Sequence, residues 1–147
     1  MNRLQLYLCL LLLTAISLAW SLRTILVNAQ TSSPVETARG KYLVDEVARC
    51  AECHTPRDAA GNLNGQARLH GATIWIRPVA PSSNGADQAP PLAGTPSFTD
   101  AQMENLLVKG VGPNGETLRP PMHTYHMHPE DAHAIIAYLK SLPPAER

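Results

Sequence analysis

Cys50-Ala51-Glu52-Cys53-His54 is the stretch on which the reading of this chain turns. Two cysteines separated by two residues and followed directly by a histidine form the C-x-x-C-H spacing through which a c-type haem is attached. The spacing makes physical sense. Two thiols three positions apart add to the two vinyl groups of one haem, and the imidazole of the next residue is then held where it ligates the iron from one side. Without the histidine, the pair would read equally as a thiol redox site, half a zinc site or a local disulfide. A structural zinc site takes four ligands, usually with a second cysteine pair. The remaining cysteine, Cys9, lies inside an apolar N-terminal run and is given no role. The motif therefore implies one haem c, held covalently by Cys50 and Cys53 and ligated by His54. A zinc or disulfide module is the alternative.

That N-terminal run covers residues 4–20, LQLYLCLLLLTAISLAW, and follows Arg3. A basic start and an apolar stretch make an export signal, and Val27-Asn28-Ala29 or Ser17-Leu18-Ala19 resembles a small-x-small cleavage site. The run also approaches bilayer-spanning length, and Arg23 behind it is unusual for a cleaved signal. Residues 1–29 thus read as an export signal or an N-terminal membrane anchor, with a membrane tether through residues 4–27. Either places the rest of the chain in the periplasm, soluble or anchored to the outer side of the cytoplasmic membrane.

Residues 30–34 read as a polar linker, and residues 35–147 as one domain with one core. The chain has 12 Lys+Arg and 12 Asp+Glu; without Arg3 and Arg23 the remainder carries 10 against 12, a net of −2. Such a charge gives no support for nucleic-acid binding. Aromatic residues make up 5%, so the domain gains from a large apolar ligand at its centre, and its ligand-free form is expected to be poorly packed. The 13 prolines and 9 glycines indicate a loop-rich domain rather than a helical bundle.

Helical periodicity runs from Val35 to about Ala51, with Tyr42, Leu43, Val47 and Cys50 on one face and Ser33-Pro34 as the start. Gly40 inside this helix costs about 1 kcal/mol relative to alanine, which points to a close backbone approach by another helix. Further helices are expected over Thr99–Val108, capped by Thr99 and closed by Lys109-Gly110, and over Pro129–Leu142, stopped by Pro143-Pro144. Between them, residues 56–97 are rich in Pro, Gly, Asn and Ser. Gly61-Asn62-Leu63-Asn64-Gly65 and Pro81-Ser82-Ser83-Asn84-Gly85 are turn-like, and Ala72-Thr73-Ile74-Trp75-Ile76 is a brief strand or a packed loop.

A haem held only by His54 has an open face. Met122, after Arg119-Pro120-Pro121, is the preferred second ligand, because the prolines stiffen and extend the loop and a thioether ligates iron. Met127 is a rival. His123, His126 and His128 surround the same loop, and one of them is another candidate. Met103 falls within a predicted helix and reads as core, and His133 as surface. Ligation by His and Met favours Fe(II), raises the reduction potential and fills both axial sites, which suits an electron carrier rather than a catalyst.

Together these residues resemble a class I cytochrome c over about residues 35–143. Gly40, Tyr42, Cys50, Cys53 and His54 resemble the N-terminal helix and haem site of that family. Ala89-Pro90-Pro91-Leu92-Ala93-Gly94 is similar to the segment beneath the haem. Leu118-Arg119-Pro120-Pro121-Met122 resembles the methionine loop, and Ala137-Tyr138-Leu139-Lys140 the C-terminal helix that crosses the first helix near Gly40. The resemblance implies an all-α fold of three to four helices, with long loops wrapped around one covalent haem. It also implies that the Pro90 carbonyl accepts the N–H of His54, that Leu92 packs on the ring, and that Met122 completes the iron ligation. Attachment of c-type haem on the exported side in such bacterial systems agrees with the N-terminal reading.

Cys53-His54-Thr55-Pro56-Arg57-Asp58 and the stretch from Met122 to Leu142 look more narrowly like bacterial periplasmic cytochromes, some of them haem subunits of dehydrogenases. Here there is one haem motif, not three. About 35 residues between His54 and Pro90 exceed the compact pattern, marking an inserted loop at about 57–89 that contains Trp75. Ordinary packing is the plainer reading of Trp75, and shielding of the haem edge or a bond to a propionate the functional one. The function implied is carriage of single electrons between periplasmic or membrane-bound redox partners (a dehydrogenase, an oxidase or another cytochrome) with no enzymatic activity of its own. The alternative is a haem enzyme or ligand sensor with an open or labile sixth position.

Overall fold

The computed structural model describes residues 5, 12–14, 16, 17, 32–76, 84–95 and 97–145. The chain divides into two units, Met1–Ser33 and Pro34–Arg147. Of the first, residues 12–14, 16 and 17 are helical, with Leu12, Leu13 and Ile16 exposed. Cys9, Arg3, Arg23, Ser17-Leu18-Ala19 beyond Ser17, and Val27-Asn28-Ala29 lie outside the described residues. Among the described residues no helix is long and apolar enough to cross a membrane.

The second unit begins with α1, Pro34–Tyr42. Proline is pre-set for a first helical turn, Glu36 sits near the positive end of the helix dipole, and Arg39 and Lys41 near its negative end. The structure corrects the expectation of a single helix to Ala51. After Tyr42 the backbone widens into a π-helical turn, Leu43–Val47, with the Ala48 N–H bonded to the Leu43 carbonyl at 2.8 Å and the Cys50 N–H to that of Val44 at 3.0 Å. Arg49 then adopts a φ of 51°, which ends the helix. The face toward the core is Gly40, Leu43 and Val44; Tyr42, two residues from Gly40, points away from it and is 59% exposed, and the wider turn rotates the residues after it, leaving Val47 56% exposed. The short α2, Ala51–His54, carries the second half of the cysteine–histidine motif.

α3, Asp100–Lys109, starts at a capping box. The Thr99 hydroxyl accepts from the Gln102 N–H, and the Gln102 side chain accepts from the Thr99 N–H. It ends at Gly110, whose φ of 66° gives a left-handed cap. α4, Pro129–Ser141, buries Ala132, Ala134, Ile135, Ile136, Tyr138 and Leu139. Gly40 is where α1 meets α4: a Cβ there would stand 1.8 Å from the Ala134 carbonyl oxygen and 2.8 Å from the Tyr138 Cβ. Only glycine permits that approach. Arg39–Asp131 and Lys140–Asp100 pairs, at 2.5 and 2.8 Å, brace α1 on α4 and α4 on α3. His133 is on the surface, 3.4 Å from Glu104.

The loop region has its own frame. Ala72–Thr73 (β1) pairs antiparallel with Gln88–Ala89 (β2), Ala72 opposite Ala89 and Thr73 opposite Gln88. The strand reading of the 72–76 stretch therefore holds for two residues. The Asp58 carboxylate closes the turn after it by accepting from the Ala60 and Asn62 N–H groups, each at 2.9 Å. Of the second predicted turn, Pro81, Ser82 and Ser83 lie outside the described residues. The core gathers Leu43 and Val44 of the π-helical turn, Leu69, Leu92 and Ala93 of the loops, Met103 and Leu107 of α3, and Ile135 and Leu139 of α4.

Candidate functional site

Every residue singled out for the site lines one cavity of about 720 Å³: Cys50, Cys53, His54, Pro90, Leu92 and Met122. Its walls also include Ile74, Ile76, Phe98, Leu106, Leu107, Leu118, Tyr125 and Leu139. The volume lies within the roughly 300–1,000 Å³ of small-molecule and cofactor sites, and the mainly apolar lining with few polar groups fits the same class.

His54 is 5% exposed at the end of α2, and its Nδ1 stands 2.8 Å from the Pro90 carbonyl oxygen. A carbonyl only accepts, so Nδ1 carries the proton and Nε2 is left with a free lone pair. That is the tautomer a metal-ligating histidine needs, with its orientation held by the second nitrogen. Burial pulls the imidazole below its ordinary value of 6.5, and the Pro90 bond opposes this. Burial is the larger effect and keeps the ring neutral, and the Pro90 bond holds its orientation.

A relay of hydrogen bonds, one of them accepted by a side chain, holds the Pro90 segment against His54. The Gly71 N–H donates to the His54 carbonyl at 2.9 Å, and the Leu69 N–H to the buried Thr55 hydroxyl at 3.0 Å. The Leu69 carbonyl then accepts from Leu92 and Ala93, at 2.9 and 3.1 Å. β1–β2 pairing sets the residue before Pro90 in register. Gly71, just before β1, faces the end of β2 with φ 84°; a Cβ there would be 2.9 Å from both the Ala89 oxygen and the Pro91 nitrogen. Leu92, 8% exposed, belongs both to the cavity wall and to the core.

Cys50 and Cys53 are half-buried free thiols. Burial pushes the Cys50 thiol up to about 11, so it stays neutral among apolar neighbours. Among the described residues no cluster of three or more His, Cys, Asp or Glu is placed to hold a metal ion. These residues fit a covalently attached haem: two unpaired thiols and a buried, tautomerically fixed imidazole share the wall of a large apolar cavity.

The rivals for the second ligand separate by position. Met127, His126 and His128 do not line the cavity, whereas Met103 and His123 do. Met103 is 3% exposed and part of the core, and Met127 packs against that core, its N–H bonded to the Leu107 carbonyl at 3.0 Å. The Met122 loop is not the extended segment expected from two prolines. It turns, with a cis Pro120–Pro121 bond and the Met122 N–H on the Arg119 carbonyl at 3.1 Å. A turn of this type accommodates cis-proline at its third position.

Tyr125 and Phe98 are cavity residues that sequence reasoning missed. Tyr125 donates to the Ala48 carbonyl at 3.2 Å, and burial pushes its hydroxyl up to about 12. An aromatic residue within the polar run from His123 to His128 was the available signal. Trp75 packs at the surface, with its indole N–H on the Glu52 carbonyl at 3.5 Å. It is 59% exposed, absent from the cavity wall, and covered by the Arg57 guanidinium 4.7 Å from its ring, while Ile74 and Ile76 on either side line the cavity.

The sequence profile of the Cytochrome c family matches residues 37–143. The fructose dehydrogenase cytochrome subunit of Gluconobacter japonicus is 37% identical over 115 residues, covering 71% of this chain and 22% of that protein. A diheme cytochrome c-type protein of Cereibacter sphaeroides is 31% identical, covering 76% and 37%. The cytochrome c subunit of a quinone alcohol dehydrogenase from Gluconacetobacter polyoxogenes is 34% identical, covering 74% and 25%. The chain thus spans between a fifth and two-fifths of the length of these relatives.

Proposed function

The chain belongs to the cytochrome c family, and on that premise we propose that it carries single electrons through one haem c, held by Cys50 and Cys53 and ligated by His54 and Met122. Haem c, when bound, supplies a reversible one-electron Fe(III)/Fe(II) couple. The observation that carries the proposal is the His54 Nδ1–Pro90 bond inside an apolar cavity that also holds both thiols and Met122.

Each residue has a task in this reading. The thiols anchor the group to a short helix packed on the core, so it does not dissociate. The Pro90 carbonyl keeps the His54 ring oriented and its Nε2 available. Leu92, Phe98, Leu107 and Leu139 exclude water, which limits solvent reorganisation around a change of charge. Met122 would offer the iron a soft thioether as its second protein ligand, which suits electron carriage rather than substrate binding. The single C-x-x-C-H motif supports one haem.

The chain is exported through residues 1–29, cleaved or retained as an anchor, and works in the periplasm on the outer side of the cytoplasmic membrane. Relatives named as cytochrome subunits of fructose and alcohol dehydrogenases support a dehydrogenase among its redox partners. Protein-film voltammetry of the holoprotein tests the proposal. A reversible one-electron wave without peroxide turnover is the expected result. A holoprotein with no reversible couple, or one that turns over peroxide, removes it.

A further inference from the structure

The loop bearing Met122 is tied to a stretch of the long insertion far from it in sequence. Arg119 donates from Nε to the Asn84 carbonyl at 3.4 Å and from Nη2 to the Gly85 carbonyl. The Ala86 N–H returns a bond to the Pro120 carbonyl at 2.7 Å. Three contacts therefore join residues 84–86 to residues 119–120, and the turn closed by the Met122 N–H on the Arg119 carbonyl comes directly after them. Ala86, Arg119 and Met122 all line the cavity. The guanidinium forks onto two successive main-chain carbonyls, a use of its planar donor geometry that lysine does not reproduce.

Thioether ligation is weakest toward Fe(III), because the soft sulfur favours the reduced iron. Such a ligand is kept in place by the cost of moving the loop that carries it. We propose that Arg119 is a positioning residue for the sixth iron ligand: by clamping the Met122 loop to residues 84–86, it sets how firmly the thioether holds its place over the cavity. The inference rests on Met122 as ligand. It also gives this part of the insertion a task, the anchoring of the methionine loop.

The test uses holoprotein made with the haem-maturation machinery, comparing wild type with Arg119→Ala, Arg119→Lys and Met122→Ala. The readouts are the weak near-infrared sulfur-to-iron band of the oxidised form, the rate of CO binding to the reduced form, and the midpoint potential. Arg119→Ala is expected to weaken the band and speed CO binding about tenfold, the scale of losing about one net hydrogen bond, as an exposed side chain contributes less than the sum of its contacts. Arg119→Lys, which reaches one carbonyl, should fall between it and wild type, and it carries the test if Arg119→Ala does not mature.

Arg119 variants with a wild-type band and CO rate overturn the inference and leave the ligand reading standing. A shifted potential with an unchanged band and CO rate also overturns it, because the arginine would then act on the iron by charge alone. A wild-type protein without the band, or a Met122→Ala protein that keeps it, removes the ligand reading and this inference together.

Discussion

Gly40→Ala separates two effects that helix propensity and packing predict with opposite sign. Alanine is favoured over glycine in a helix interior by about 1 kcal/mol, so an isolated α1 would gain from the change. In the folded domain the new Cβ would lie 1.8 Å from the Ala134 oxygen and 2.5 Å from the Ala134 carbonyl carbon, against a floor of 3.0 Å for real Cβ contacts. Both atoms are backbone in the middle of α4, so no side chain can swing aside. The helices must part by over an ångström. A gap of 0.5–1 Å already forfeits about a quarter to a half of the dispersion attraction of each contact it opens. Overpacking of this kind costs about 3 kcal/mol, so the net change is at least about 2 kcal/mol of destabilisation. A domain of this class holds roughly 5–15 kcal/mol in all. Urea denaturation of the holoprotein, with an m-value of about 1–2 kcal/mol per M, should show the midpoint fall by about 1–2 M. A midpoint that stays put or rises would refute the crossing at Gly40.

Gly71→Ala should lower holoprotein yield and stability together, since the strained φ and the contact with Ala89 and Pro91 act on the segment that presents the Pro90 carbonyl; visible absorbance per mole of protein checks it. Thr99→Ala removes half of the capping box of α3 and should cost about 1 kcal/mol by chemical denaturation, with the redox couple unmoved. Asp58 accepts from the backbone of its own turn, which holds its carboxyl below the ordinary value of 3.8. A depressed folded value means stability present above that pH and lost as pH falls through the folded value. The stability gap between wild type and Asp58→Ala should therefore close below about pH 4 in urea titrations run across pH. Haem-free Cys50→Ala/Cys53→Ala protein should bind ANS and give broad amide spectra, because Leu92, Met103, Leu107, Ile135 and Leu139 belong to both the cavity wall and the core.

Much of the fold was legible because its signals are local. The start of α1 at Pro34, the Thr99 and Gly110 ends of α3, and the Pro129 start of α4 are capping chemistry that needs no tertiary context. Gly40 announced a helix crossing by being a poor helix former in the wrong place. The motif marked Cys50, Cys53 and His54, whereas Pro90, Leu92 and the choice of Met122 drew on resemblance as well. The features that escaped reading depend on backbone geometry that side-chain types do not encode. The π-helical turn at Leu43–Val47 turned Val47 outward, and the turn at Pro120-Pro121 replaced an extended loop. Gly71 was one glycine among several in a loop-rich stretch, and its necessity shows only once the pairing of β1 with β2 brings Ala89–Pro91 against it. Tyr125 reaches the cavity by a fold of the loop after Gly110, a long-range event with no periodic signature.

Optical spectra of the matured holoprotein test the central claim most directly, with wild type set against Met122→Ala, Met103→Leu and Met127→Leu. The account predicts a c-type reduced spectrum and a near-infrared sulfur-to-iron band in the oxidised wild type, absent from Met122→Ala and retained in the other two. A high-spin, CO-reactive wild type, or a band that survives in Met122→Ala, would contradict it.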